Sequence, residues 1–259
     1  MIHATFVIAG NTPGAPPPST YVAAAKRFAD TYVRFPADMQ HRLILLDSHG
    51  GYTPEIAGFF SDIPHTALPY AGLGWDIGAH LHAAYTLPAD DWIMCFSSWG
   101  HFRQRGWLAA FARARDRYGD GLYGSTASFE RSPHVRGTGF MVRCGQLQAY
   151  PHRVNSRKES LDFEAGPESL TNWFLRRRDG VWIVTPRKTV PLAAARHLEH
   201  GFRREQQTDI WTFDKHTDVF ERGTEEERTI FNGWSYPPPP SRWRRLKTWA
   251  RQFLPPANG

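Results

Sequence analysis

Residues 43–51 read Leu43-Ile44-Leu45-Leu46-Asp47-Ser48-His49-Gly50-Gly51: four aliphatic residues in a row, then an acid, a serine, a histidine and two glycines. An unbroken aliphatic run bounded by turn residues is the mark of a strand buried on both faces, as in parallel sheets. Thr5–Ala9 reads the same way and opens into Gly10-Asn11-Thr12-Pro13-Gly14. Between the two strands, Tyr21–Phe35 has helical spacing, with Ser19 or Thr20 as its cap. Downstream, a helix is expected around Pro54–Phe60, a weak strand near Thr66–Leu68, a helix over Asp76–Tyr85 and a strand over Trp92–Phe96. A helix over 102–118, strands over Leu122–Ser125 and Gly139–Val142, a helix over Glu168–Arg178 and a strand over Val181–Thr185 continue the alternation. This pattern predicts an α/β fold whose mainly parallel sheet carries helices on both faces.

The 259 residues are enough for one large domain with an extension, and an apolar content of 41% with ten tryptophans excludes global disorder. No apolar run approaches the roughly 20 residues that span a bilayer. The N-terminus lacks the residue order of a signal peptide, and Cys95 and Cys144 share neither CxxC nor CxxH spacing, so a cytoplasmic protein without a disulfide framework is expected. The net charge of +6 is concentrated at one end: residues 241–259 hold Arg242, Arg244, Arg245, Lys247 and Arg251 and no acid. The rest of the chain is nearly neutral, which argues against nucleic acid as a partner of the main domain.

Three segments follow from this reading: an α/β unit over 1–190, a polar extension over 191–236 packed on it, and a spacer with a basic tail over 237–259. Pro237–Pro240 forms the stiff spacer. Beyond it Trp243, Leu246, Ala250 and Phe253 fall on one helical face, so residues 241–253 suit an anionic membrane surface and a peripheral position on the inner face. A solvated terminus is the alternative.

In open α/β sheets ligands bind beyond the carboxyl ends of the strands. Three turns occupy that edge: Gly10–Gly14, Asp47–Gly50 and Ser97-Ser98-Trp99-Gly100-His101. None is a GxGxxG, a GxxxxGK[ST] or a GxSxG motif, which removes the most recognisable dinucleotide, NTPase and α/β-hydrolase readings. The segment Tyr70-Ala71-Gly72-Leu73-Gly74-Trp75-Asp76-Ile77-Gly78 brings an acid to a helix start behind a glycine-rich approach.

Gly74–Ala79, Trp92–Phe102, Leu122–Ser125, Pro133-His134-Val135 and Phe163–Thr171, in that order, resemble the nucleotide-sugar-dependent glycosyltransferases of GT-A fold. Within these the chain is similar to bacterial rhamnan-synthesis-type, family-2-like members that lack an Asp-x-Asp motif. The resemblance implies a Rossmann-like GT-A sheet and a hexosyltransferase-like enzyme. Its reaction would move a sugar from a nucleotide-sugar donor to a glycan or lipid-linked acceptor in surface polysaccharide synthesis. The resemblance places Asp47 at the nucleotide base; by position on the same edge Asn11, Asp76, Ser97 and Ser98 would bind the donor, Asp76 at the ribose or sugar, and Trp75 and Trp99 would stack on rings.

Where typical members place Asp-x-Asp, this chain has Ser97-Ser98-Trp99. No cofactor is therefore expected, a divalent manganese or magnesium ion staying open as the alternative, and His101, Arg103, His134 or Arg136 would meet the donor pyrophosphate. An inverting transfer needs a base for the acceptor hydroxyl. Glu164 is the residue that the resemblance places there and Glu168 is the alternative, both read as lying near a helix start that keeps a carboxylate ionised. Two other classes compete: a non-catalytic GT-A-like module of a polysaccharide synthase, and a nucleic-acid binder led by the tail.

Overall fold

The computed structural model describes residues 1–238. In chain order the elements are β1 (Ile2–Ala9), α1 (Ser19–Arg34), β2 (Arg42–Ser48), α2 (Pro54–Phe59), β3 (His65–Tyr70), α3 (Trp75–Thr86), β4 (Trp92–Phe96) and β5 (His101–Phe102). There follow α4 (Trp107–Tyr118), β6 (Gly121–Gly124), β7 (Ala127–Ser128), β8 (His134–Val135), β9 (Gly139–Arg143), α5 (Cys144–Gln148), α6 (Arg157–Ala165) and α7 (Leu170–Arg176). The last are β10 (Gly180–Val184), β11 (Thr189–Pro191), a 3-10 turn over Leu192–His197, β12 (Thr212–Phe213), α8 (Lys215–Arg222) and α9 (Glu225–Ser235). The expected tail contact through 241–253 lies outside the described residues. Among those described, no helix is long and apolar enough to cross a membrane.

Eight strands form one sheet in the order β11-β10-β6-β9-β4-β1-β2-β3. All neighbours pair in parallel except β9, which is antiparallel to both β4 and β6, and β11, antiparallel to β10. Both exceptions have the same cause. A parallel return needs a crossover of about a dozen residues or more, usually with a helix. The β6–β9 connection instead spends its residues on the β7–β8 hairpin, and the β10–β11 turn closes with the Thr185 amide donating to the Lys188 carbonyl at 2.9 Å.

Each strand alternates its side chains between two cores. Phe6, Ile8, Leu43, Leu45, Met94 and Phe96 pack with α1, α2 and α4, whereas Val7, Ile44, Leu46, Ile93 and Cys95 pack with α3, α5, α6 and α7. This is why the strands read as continuous apolar runs.

Local boundaries depart from the sequence reading in three places. α1 starts at Ser19 behind Pro18, with no side-chain cap from Ser19 or Thr20. The helix expected over 102–118 starts at Trp107, because Gly106 sits at φ +83° and His101–Phe102 is claimed by pairing with β12. α6 was not anticipated: only Phe163 of it is buried, so it shows no apolar stripe, although Ser156 caps it by accepting from the Glu159 amide.

Candidate functional site

A cleft with a cavity volume of about 220 Å³ opens at the carboxyl ends of β1, β2 and β4. Its floor is set by strand register. Ala9 lies beside Ser48, and the Gly10 and Asn11 amides donate to the Ser48 and His49 carbonyls. A Cβ on Gly10 would run into the backbone of His49 and Gly51, so only glycine lets the two turns close on each other. The side chains these turns turn inward are Thr12 and Ser48, whose hydroxyls are 3.3 Å apart. Their neighbours Asn11 and Asp47 do not line the cleft: Asn11 is exposed, and Asp47 accepts from the Tyr52 amide at 2.9 Å.

The opposite wall is the start of α3. Trp75 takes φ +52°, an uncommon conformation for a bulky residue and one that is costly unless its surroundings impose it. Gly74 just before it packs so closely that any Cβ would collide with the Val154 carbonyl oxygen. The turn aims Asp76 at the end of β4, where one carboxylate oxygen accepts from the Ser98 amide at 2.9 Å and the Ser98 hydroxyl at 3.1 Å. Burial raises the Asp76 pKa, and the Ser98 hydrogen bonds and the Lys215 charge oppose that shift. Trp75, Asp76, Ser97, Ser98 and Trp99 all line the cleft.

The rim opposite β4 comes from the polar extension. Asp214 caps α8 by accepting from the His216 and Thr217 amides, each at 2.9 Å, and Thr217 closes the capping box. The second Asp214 oxygen takes a 3.1 Å bond from Arg136, whose guanidinium lies 3.8 Å from the centre of the Phe202 ring. Burial opposes the charge on Asp214, but Arg136, His216 and the cap outweigh it and hold its carboxyl below the usual value. This cap presents Lys215 and His216 to the cleft, with the Lys215 ammonium 5.3 Å from the centre of the Trp99 ring. Although His216 is exposed, the protein around it and then the Arg136 charge lower its pKa to about 4, so it stands neutral at pH 7. The sequence reading missed Asp214, Lys215 and His216. The signal present was an Asp-x-x-Thr cap after a featureless stretch.

Glu164 closes the cleft on the remaining side. It lies in the last turn of α6, not at a helix start, so the helix dipole does not favour its charge. What holds it is the Gly137 amide, donating to Oε1 at 2.9 Å. Arg136, Glu164 and His216 also line a second cavity of about 220 Å³, so the Glu164 carboxylate stands where the two cavities meet. His134 lines the second cavity only; its Nδ1 bonds the Ser132 carbonyl at 2.7 Å and burial lowers its pKa. Glu168 lies outside both, exposed and paired with Arg176 at 2.6 Å. His101 is buried beneath the site, 3.7 Å from Asp218, and burial brings its pKa down to about 4. Arg103 is bound by Glu221 and Asp218.

Among the described residues, no three His, Cys, Asp or Glu side chains cluster to hold a metal. At the cleft Asp76 is engaged by Ser98 and Asp214 by Arg136.

No protein-family profile matches the chain, and no curated protein matches it in sequence. Similar solved structures include TarS from S. aureus, 11% identical with a TM-score of 0.41 over 62% of this chain and 32% of TarS. This chain therefore spans about a third of the length of TarS. A putative glucose-1-phosphate thymidylyltransferase from Bacillus anthracis is 10% identical with a TM-score of 0.46, over 95% of this chain and 99% of its own. Mouse xyloside xylosyltransferase 1 is 7% identical with a TM-score of 0.46, over 71% and 84%.

Proposed function

We propose that this protein is a nucleotide-sugar-dependent glycosyltransferase that transfers with inversion and without a metal. The observation that carries the reading is the position of Glu164: a carboxylate fixed by one backbone amide, at the junction of two cavities, beyond the carboxyl edge of a parallel sheet. A base between a donor cleft and an acceptor cavity is what single displacement requires. The nucleotide end of the donor lies along Thr12, Ser48 and Asp76, and Trp75 and Trp99 offer ring faces for stacking. The acceptor enters from the second cavity. Its hydroxyl proton passes to Glu164, the oxygen forms the new bond to the anomeric carbon, and the bond to the diphosphate breaks with its electron pair leaving on the diphosphate. Lys215 meets that developing charge, since Arg136 is committed to Asp214. Surface polysaccharide is the product class that the sequence resemblance suggests.

A thermal-shift panel of UDP, GDP, CMP and dTDP with their sugars, run with and without chelator, tests this. A nucleotide at 100-fold its Kd adds about 2.7 kcal/mol, which for a chain of this size is roughly 5–11 °C. Stabilisation by one nucleotide class, unchanged by chelator, supports the reading. Turnover must then release nucleoside diphosphate, or CMP if the CMP-sugar is the donor; release of pyrophosphate would mean nucleotidyl transfer instead. Absence of any nucleotide effect would leave a non-catalytic module.

A further inference from the structure

The second cavity does not end at the catalytic junction. On its far side Arg203 lines both it and an open groove of about 1,070 Å³ between α8, α9 and residues 199–206. The groove is polar and its charges balance, with Glu199, Glu205 and Glu225 beside Arg203, Arg204 and Arg228 in its walls. Such a lining offers both donors and acceptors to a hydroxyl-rich chain and little to a lipid.

Arg203 is the unusual residue on this path. Its guanidinium is half-buried but reaches only neutral acceptors, the Ser235 hydroxyl and the His216 Nδ1, each at 3.4 Å. Its Nε is buried without a partner, and no described carboxylate forms an ion pair with it. Burial and then the neighbouring Arg136 charge disfavour its own charge, and the more distant Asp214 and Glu130 carboxylates oppose that shift. The Phe202 and Phe231 ring centres lie 5.0 and 5.2 Å from the guanidinium. The backbone nevertheless fixes it there. Arg203, Glu205 and Gln207 all have positive φ, and buried Gln207 holds the loop by accepting from the Arg203 amide at 2.9 Å while Asn232 donates to the Arg203 carbonyl at 2.8 Å. Buried charge is ordinarily paired, and strained backbone persists where its surroundings over-determine it. Glu130 faces the same cavity but is exposed and makes no bond to Arg203.

We infer that the acceptor is an anionic glycan chain. Its reacting hydroxyl sits at Glu164, a carboxylate or phosphate oxygen of a nearby sugar sits on Arg203, and the rest of the chain runs along the groove. This assignment rests on the transferase reading above for the role of Glu164, but not for the binding itself.

The experiment is direct binding by calorimetry of three hexamers without donor: oligogalacturonate as the carboxylate source, a glycosyl-phosphate chain as the phosphate source, and maltohexaose as the neutral chain. One of the anionic hexamers is expected to bind at least tenfold tighter than maltohexaose and to weaken with salt. Arg203→Gln is expected to lose that tenfold, the size of a charge-assisted hydrogen bond, and Arg203→Lys to keep part of it. Thermal unfolding of each variant reports whether it is folded. Equal binding of all three hexamers, no binding of either anionic one, or full affinity in folded Arg203→Gln would overturn the inference. A protein that binds nucleotide but no anionic hexamer loses only its acceptor assignment. One that binds an anionic hexamer but no nucleotide keeps the groove and loses the transferase reading.

Discussion

Replacing Asp214 by Asn tests the buried junction that carries α8 to the cleft. The Arg136 and Asp214 side chains are 9% and 2% exposed, so the pair is desolvated. Removing one partner of such a pair typically costs about 3–5 kcal/mol, because it leaves the other charge buried and alone. Asn is nearly as good an N-cap as Asp, so Asp214→Asn keeps the cap and loses the charge. At roughly 2–4 °C per kcal/mol, its thermal midpoint should fall by about 6–20 °C. Asp214→Ala should fall further, by the roughly 1 kcal/mol of the lost cap. Arg136→Met with Asp214→Asn should recover much of the loss, since an apolar replacement of a buried pair is often neutral. The pH dependence has a definite sign. The carboxyl is held below its ordinary 3.8, so its contribution is complete above that value and is lost as pH falls through the lower folded value. The gap between wild type and Asp214→Asn should therefore be constant from pH 5 to 8 and close below about 3.8. Urea denaturation across that range decides it. A loss under about 1 kcal/mol, or a gap that persists undiminished in acid, would refute the idea of a desolvated pair.

Further expectations follow from the same geometry. Glu164→Gln should retain nucleotide binding and lower the transfer rate roughly 100- to 10,000-fold, the usual worth of a general base; Glu168→Gln, whose carboxylate lies on the exposed surface beside Arg176, should transfer normally, and the opposite ranking in a product assay would move the base to Glu168. Lys215→Ala should weaken binding of a nucleoside diphosphate more than of the nucleoside, as read by calorimetry with each. His80 and His101 are buried, with pKa values lowered from 6.5 to about 3 and about 4 mainly by desolvation. The unfolded chain takes up those protons first, so stability should fall as pH drops from about 6.5 towards 4, by up to about 1.4 kcal/mol per pH unit for each histidine. An equally steep loss in folded His80→Gln would show that His80 is not the cause. Gly74→Ala should destabilise the start of α3 and cost nucleotide affinity even at temperatures where it stays folded, because its methyl displaces the Val154 carbonyl; unchanged affinity would uncouple that turn from the cleft.

Much of this molecule could be read from residue order. The aliphatic runs at Thr5–Ala9 and Leu43–Leu46 and the helices between them announced a parallel sheet covered on both faces, because burial on both sides leaves no polar alternation. The carboxyl-edge rule led to Ser97 and Ser98, the glycine-rich approach to Trp75 and Asp76, and the sequence resemblance to Arg136 and Glu164; all of these line the cleft. Which member of a polar turn faces inward was less legible. Thr12 and Ser48 line the cleft where Asn11 and Asp47 were expected, since one residue of register exchanges the faces of a strand and the turn after it. Residues 191–238 gave almost no periodic signal, yet they supply Asp214, Lys215, His216 and Arg203. Their place depends on contacts between segments far apart in the chain: Arg136 with Asp214, β5 with β12, Gln207 with the loop that carries Arg203. Local spacing records the period of a helix or strand. It does not record which distant charge a capping aspartate will meet, and here that meeting decides where the cleft has its cations.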